Sequence, residues 1–240
     1  MFASRTTGVL DTIVHGRRGL VGLLFVLSQP RDGDEAEFHD WYDNEHGPAR
    51  MALPGVHSGH RYRAIDGVRP GWLAWYDLDL GVLDTDAYRE LRERRSARES
   101  AVMGRLAALD RRVYEPLDEH GSGGGPVLVV RSMSVRPGGE ADFHAWYAGE
   151  HLPALHAIPG WGRTRRYVLR TGEAPHFLTL HEISGTQLFD TDAYRTATAT
   201  PWRDRVMATL TTNERRLFTH HLTFGGTPCQ PASKPSGPAN

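Results

Sequence analysis

The chain has 240 residues, of which 39% are hydrophobic and 24% charged, and its formal net charge is -1. That composition is of the folded, globular kind, and the near-balance of charge excludes the basic field that draws a protein to nucleic acid or anionic lipid. No apolar run is long enough to cross a bilayer, so a small molecule is the expected partner, with neither nucleic acid nor membrane.

Residues 1–18 read as an N-terminal extension. Arg17 and Arg18 precede the apolar run G-L-V-G-L-L-F-V-L and together mimic a twin-arginine export signal. The run holds the same place in the first half of the chain as Val127–Val135 holds in the second, so it reads as a first strand, Leu20 to Leu27. A helix should open near Asp34 or Glu35, placing Phe38, Trp41, Tyr42 and Glu45 on one face at helical spacing. Pro48 is expected to stop it, because a residue before proline avoids the helical region. A second strand then ends in Arg61 and Tyr62, and a third runs from Trp72 to Leu78. Asp84 and Thr85 are a good N-cap pair for a second helical stretch through Ala87 and Leu91, broken at Ser96 and resumed through Val102, Leu106 and Leu109. A final strand carries Arg111 and Arg112, and Ser122 to Gly125 form a flexible polar linker.

After the linker the order repeats. Residues 35–62 match residues 140–167 at a constant shift of 105, with 15 of 28 columns identical. D-T-D-A-Y-R recurs at Asp84–Arg89 and Asp190–Arg195, and Arg111-Arg112 matches Arg215-Arg216. A unit of about a hundred residues is a small domain rather than a solenoid repeat. The expected organisation is a repeat over 19–121, a linker over 122–125, a second repeat over 126–226 and a disordered tail over 227–240. The single cysteine, Cys229, lies in that Pro- and Ser-rich tail, which suits a reducing cytoplasm. Each repeat reads β-α-β-β-α-β, with helices on one sheet face only. The predicted fold is therefore α+β: two tandem ferredoxin-like repeats whose sheets face each other in a closed intramolecular barrel.

At F-H-x-W-Y-x-x-E-H-x-P, present in both copies, the sequence resembles the dimeric α+β barrel superfamily and, within it, the EthD-type proteins. The resemblance spans roughly residues 19–118 and 125–224. It implies chemistry inside the barrel, of the kinds found in cofactor-free monooxygenases, polyketide cyclases, dehydratases, decarboxylases, lactone isomerases and some haem enzymes. It also implies that His46 or His151, the histidines of His-x-Pro, serves as a general acid or base. A helix-capping role is the competing reading for both. Members are usually homodimers of one unit; fusion lets the two halves diverge and leaves a homodimer of the fused barrel open.

Strand alternation divides the candidate site residues between faces. Leu73, Trp75, Leu178 and Leu180 are expected beneath the helices. Trp72, Ala74, Tyr76, Phe177, Thr179 and His181 are then expected inside the barrel. On the second strand of each half the inward set is Val56, Ser58, His60 and Tyr62, matched by Trp161, Arg163, Arg165 and Tyr167, unless a bulge inverts the phase. Glu45 with Arg61, and Glu150 with Arg166, are expected as buried structural pairs, and His39 and His144 as exposed. The 13 histidines suggest no chelate: His57 and His60 are three apart on a strand and point to opposite faces, and His220 and His221 fail for the same reason.

The function these residues predict is cofactor-independent acid–base chemistry on an aromatic or polyketide-like intermediate, of cyclase, dehydratase, decarboxylase or isomerase type, with His46, His60, Tyr76, His151 and His181 as the acid–base groups. Tyr62, Trp72, Arg163, Arg165, Tyr167 and Phe177 would bind the substrate, the arginines holding an enolate or carboxylate. The alternatives are a cofactor-free monooxygenase, a barrel with haem on one axial histidine, and a barrel that binds a ligand without transforming it.

Overall fold

The computed structural model describes residues 21–224. The N-terminal extension, the Arg17-Arg18 pair, Cys229 and the expected tail lie outside the described residues. The first half contains β1 (Gly22–Pro30), α1 (Glu35–Trp41), α2 (Gly47–Met51), β2 (Val56–Ala64), β3 (Trp72–Leu78), α3 (Asp86–Glu93), α4 (Ala97–Gly104) and β4 (Leu106–His120). The second contains β5 (Val127–Val135), α5 (Glu140–Trp146), α6 (Leu152–His156), β6 (Trp161–Thr171), β7 (Phe177–Ile183), α7 (Asp192–Ala197), α8 (Pro201–Met207) and β8 (Leu210–Phe224). The strands close into one antiparallel barrel in the order β1-β3-β2-β8-β5-β7-β6-β4. Within each half that order is the ferredoxin-like one, so the predicted tandem arrangement and its closure within a single chain are both present.

The seams come from the two longest strands. β4 pairs with β1 from Leu106 to Tyr114 and then with β6 from Val113 to His120. β8 pairs likewise with β5 and then with β2. Each thus leaves its own sheet to join the other, and neither half keeps a free edge.

Thr85, Ser96, Thr191 and Thr200 cap α3, α4, α7 and α8, each side chain accepting the backbone N–H three residues on. The expected break at Ser96 is therefore a real helix start. Leu106 and Leu109 do not continue that helix; they open β4. Pro48 does not end the first helix either. Tyr42–His46 and Tyr147–His151 each form one wider π-turn, with Gly47 N–H bonding Tyr42 O and Leu152 N–H bonding Tyr147 O. Proline has no N–H for the ordinary ladder, and the π-turn absorbs that gap and lets the helix resume.

The expected phase of β3 and β7 is inverted. Leu73, Trp75, Leu178 and Leu180 lie inside the barrel with Leu23, Phe25, Leu128, Tyr167 and Phe218. Ala74 and Tyr76 pack beneath the helices with Phe38, Trp41 and Tyr42, and Phe177 does so with Phe143 and Trp146. Trp72 sits 4.2 Å from the His39 ring of α1, and Thr179 donates to the Tyr147 hydroxyl on the same outer layer. His181 packs against Trp161 in that layer too. The physical reason is that β3 and β7 are buried on both faces, which removes the apolar-polar alternation that would fix the phase.

On β2 and β6 the inward set stands from Ser58 and Arg163 onward. Val56 and Trp161 instead face the helices, because the ladder shifts register between Val56 and Ser58 and between Trp161 and Thr164.

Candidate functional site

The barrel interior is packed around Trp75, and a cavity of about 230 Å³ opens beside that packing, lined by Ser58, Asp77, Glu119, Arg163, Arg165 and Tyr167. Trp75 lies at the barrel's centre, with the Tyr62 ring 4.6 Å away, the His60 ring 5.3 Å away and the Arg165 guanidinium 4.7 Å above its face. Of the predicted site residues, His60, Tyr62, Arg163, Arg165 and Tyr167 are gathered here, and the two arginines are paired with carboxylates while each keeps its Nε buried without a partner among the described residues. Arg165 bonds Asp77 at 3.2 Å and lies 3.6 Å from Glu182; Arg163 bonds Glu119 at 2.9 Å. Ser58 donates to Asp77 and so accepts from His60 Nε2, while His60 Nδ1 lies 3.0 Å from the Thr223 hydroxyl. Both ring nitrogens of His60 are thereby engaged.

Two further clefts lie on the outer faces of the two sheets, beneath the helices, at equivalent places in the two halves. The first cleft measures about 120 Å³ and is bounded by Trp41, Tyr42, His46, Tyr76 and Glu99. The second measures about 130 Å³ and is bounded by Trp146, Tyr147, His151, Trp161 and His181. An apolar cavity of about 150 Å³ takes one benzene, so each cleft seats a single ring. His46, Tyr76, His151 and His181 belong to these clefts, where they share no common space with His60. Trp72 and Phe177 stand on the same outer layer, against α1 and α5.

The sequence expectation of Glu–Arg pairs fails here. Arg61 is buried between Phe38, Tyr42 and Trp72 and bonds Asp43 and His39 Nδ1. Arg166 does the same with Asp118 and His144 Nδ1. His39 and His144 are consequently not exposed, and burial beside a guanidinium lowers both to about 4. Glu45 and Glu150 face the caps instead, accepting from Ser96 and Thr200.

In the first cleft the π-turn carries His46 under α4, where Nδ1 lies 3.2 Å from Glu99 Oε1. Glu99 is the third residue of α4, set by the Ser96 cap and the helix start. Burial drives His46 down to about 4, against the raising pull of the Glu99 carboxylate. Burial works most strongly against the Glu99 charge, but the hydrogen bond from His46 and the charges of Arg50 and Arg95 together outweigh it, so that carboxyl stays below its ordinary value. At neutral pH the pair is therefore neutral imidazole with carboxylate. Because an ionised carboxylate only accepts, the imidazole proton sits on Nδ1 and Nε2 carries the lone pair. Trp41 lines the same cleft, and its Nε1 is buried with no hydrogen-bond partner among the described residues. A buried donor left unpaired costs about 1–3 kcal/mol and calls for an acceptor. Sequence alone does not single out this indole, which reads there as a core aromatic.

The second cleft has the opposite polarity. His181 is fully buried and held neutral, chiefly by burial. Trp161 Nε1–H donates to its Nδ1 at 3.3 Å, so its own proton lies on Nε2. His151 is lowered to about 3 by burial and by Arg203, and its Nδ1 is buried without a partner among the described residues. Where the first half has Glu99, the second has Arg203; where it has Val26, the second has Arg131.

Among the described residues no group of three or more His, Cys, Asp or Glu side chains is placed to hold a metal ion, and no helix is long and apolar enough to cross a membrane.

No family model and no curated protein matches the chain. Among solved structures it is similar to an anthrone oxidase-like protein, at 14% identity and a TM-score of 0.63 over 86% of this chain and 93% of that one. It is also similar to a monooxygenase candidate from Fusobacterium nucleatum, at 9% identity and 0.56 over 86% and 95%. A chlorite dismutase candidate matches at 16% identity and 0.52 over 84% and 95%. At these identities the likeness is one of fold, and it places the chain among α+β barrels built from ferredoxin-like units.

Proposed function

We propose that the chain is a small-molecule enzyme whose first cleft removes a proton from an aromatic, enolisable compound. The observation that carries this reading is the His46–Glu99 pair: a buried neutral imidazole, oriented by a carboxylate through Nδ1, presents its other nitrogen as a base. It agrees with the role that the EthD-type resemblance implies for the His-x-Pro histidine. In the proposed step the substrate C–H bond breaks, His46 Nε2 takes the proton, and the electron pair moves onto the substrate oxygen. The neutral phenols of Tyr42 and Tyr76, which line the cleft, are suited to that oxyanion. Return of the proton at another carbon is isomerisation, and loss of a β-hydroxyl is dehydration. The single-ring cleft holds the ring that reacts, and the remainder of a larger substrate extends to solvent.

A second reading shares the first step. An enolate formed in this cleft can give its electrons to dioxygen, and the names of the anthrone oxidase-like and monooxygenase-type neighbours favour that outcome.

Anthrone is the probe that separates the readings. In deuterated buffer under nitrogen, the protein is expected to speed exchange at the acidic ring methylene, followed by proton NMR. His46→Ala should lower that rate by about 10²-fold or more, the usual share of a positioned base. Glu99→Gln should lower it less. Exchange without oxygen uptake in air selects isomerase or lyase chemistry, and uptake with quinone formation selects oxygenation. Binding of anthrone with no exchange would make the barrel a carrier and refute the enzymatic reading.

A further inference from the structure

The second cleft differs from the first at the positions that decide charge. Arg131 rises from β5 onto the cleft floor at the place of Val26, half-buried, its guanidinium bonded only to the Asn213 side chain at 2.6 Å among the described residues. Arg203 stands at the place of Glu99, at the third residue of α8. Arg215 closes the cleft, with its guanidinium 4.0 Å from the Phe189 ring and no carboxylate within salt-bridge distance among the described residues. No carboxylate of the described residues lines this cleft. Its two histidines are neutral, and His181 has its Nδ1 accepting from Trp161, which makes the remaining ring nitrogen an N–H donor. The walls are lined by the aromatic side chains of Trp146, Trp161 and Tyr194, with Tyr194 stacked on Trp161 at 5.9 Å.

Guanidinium groups held partly out of water without a counter-charge are costly unless an anion completes them. Arg131 and Arg215 have no carboxylate within salt-bridge distance among the described residues, and Arg203 has only the exposed Asp204 at 3.8 Å, outside the cleft lining, so the cleft offers guanidinium groups and the His181 Nε2–H. A site with those groups suits a planar ring that carries one negative charge.

We propose that the second cleft is a binding site for a small aromatic carboxylate, of the size of benzoate or salicylate, with Arg131 and Arg203 facing the carboxylate, His181 donating from Nε2, and Trp161 and Tyr194 flanking the ring. This site is separate from the base in the first cleft and does not depend on that reading. The fused chain would then carry two different ligand sites, one that takes a proton and one that holds an anion.

Calorimetric titration of the full chain with salicylate tests the assignment, with salicylamide and inorganic sulfate as comparison ligands. Salicylate is expected to bind at least about tenfold more tightly than salicylamide, which keeps the ring and lacks the charge. Sulfate, which keeps the charge and lacks the ring, is expected to bind more weakly than salicylate. Arg131→Val and Arg203→Glu, each installing the residue of the other half, should weaken salicylate by about tenfold or more. Arg203→Gln serves where the charge reversal harms folding, which the urea unfolding midpoint reports. Arg131→Val should leave anthrone exchange unchanged, so failure here is distinguishable from failure of the base in the first cleft. Equal binding of salicylate and salicylamide, sulfate binding as tightly as salicylate, or full salicylate affinity in folded Arg131 and Arg203 variants would each overturn the proposal.

Discussion

The divergence between halves shows first in single pairs of facing residues. Gly59 on β2 has Tyr76 of β3 against its backbone, and a Cβ added at Gly59 would lie 2.8 Å from the tyrosine ring. At the equivalent place in the second half Thr164 fills that volume, and the smaller His181 takes the place of Tyr76, bonded to the threonine hydroxyl at 2.9 Å. A glycine with a tyrosine, and a threonine with a histidine, are two solutions to one packing problem. Gly59→Thr alone is expected to destabilise the protein by about 1–3 kcal/mol through overpacking. Tyr76→His alone should leave a void with a similar penalty. Combining them should cost less than the sum of the two, with a favourable coupling of about 0.5–3 kcal/mol in a urea-unfolding cycle. Strict additivity would mean that the two positions do not share space.

At the scale of elements, most of the topology is legible in the sequence because the repeat supplies its own control. A strand, helix and turn that recur at a constant shift are hard to misassign, and the two β-α-β-β-α-β units rest on that recurrence. The features that are not legible have specific causes. The sequence of β3, W-L-A-W-Y-D-L, is apolar on both faces, so nothing in it distinguishes the barrel side from the helix side. Strand alternation therefore puts Tyr76 and His181 in the wrong layer, although both line a cleft. The π-turn is hidden too, since Pro48 reads as a stop and only the fold shows the helix resuming beyond it. That turn and the end of α1 carry His39 and His46, and their counterparts carry His144 and His151, all held neutral, His46 buried and the other three half-buried. The fold lowers these four from 6.5 to about 4, 4, 4 and 3 respectively. A histidine depressed in the folded state is protonated more readily when unfolded, so its contribution is present above 6.5 and is lost as pH falls from there toward the folded value. The urea midpoint should accordingly drop with acidification between about pH 6.5 and 4. His151→Phe keeps a ring stacked on Trp146, which lies 4.2 Å from it in the native fold, and should flatten that pH dependence. An unchanged slope in the variant would show that His151 is not held neutral by the fold.

At the scale of the whole molecule, the two halves are one cooperative body because neither owns the barrel interior. Leu23, Phe25, Leu73 and Trp75 from the first half pack against Leu128, Leu178, Leu180 and Phe218 from the second in a single apolar cluster. Polar ties cross the same boundary: Arg165 of β6 reaches Asp77 of β3, and Arg216 of β8 holds Asp66 at 2.9 Å and the Val68 and Pro70 carbonyls. A homodimer of identical units would give two equal clefts, whereas fusion fixes one of each kind in a constant ratio within a shared core. The cost is that damage to the core cannot be confined to one half. Trp75→Ala removes the largest side chain of that cluster and is expected to cost about 3–5 kcal/mol. Because Trp75 touches both halves, the variant should unfold in one transition, with far-UV circular dichroism and the fluorescence of Trp146 and Trp161 changing together. Two separated transitions, with the second-half tryptophans reporting the later one, would show that the second repeat keeps a core of its own and that the barrel is a contact between two domains rather than their common interior.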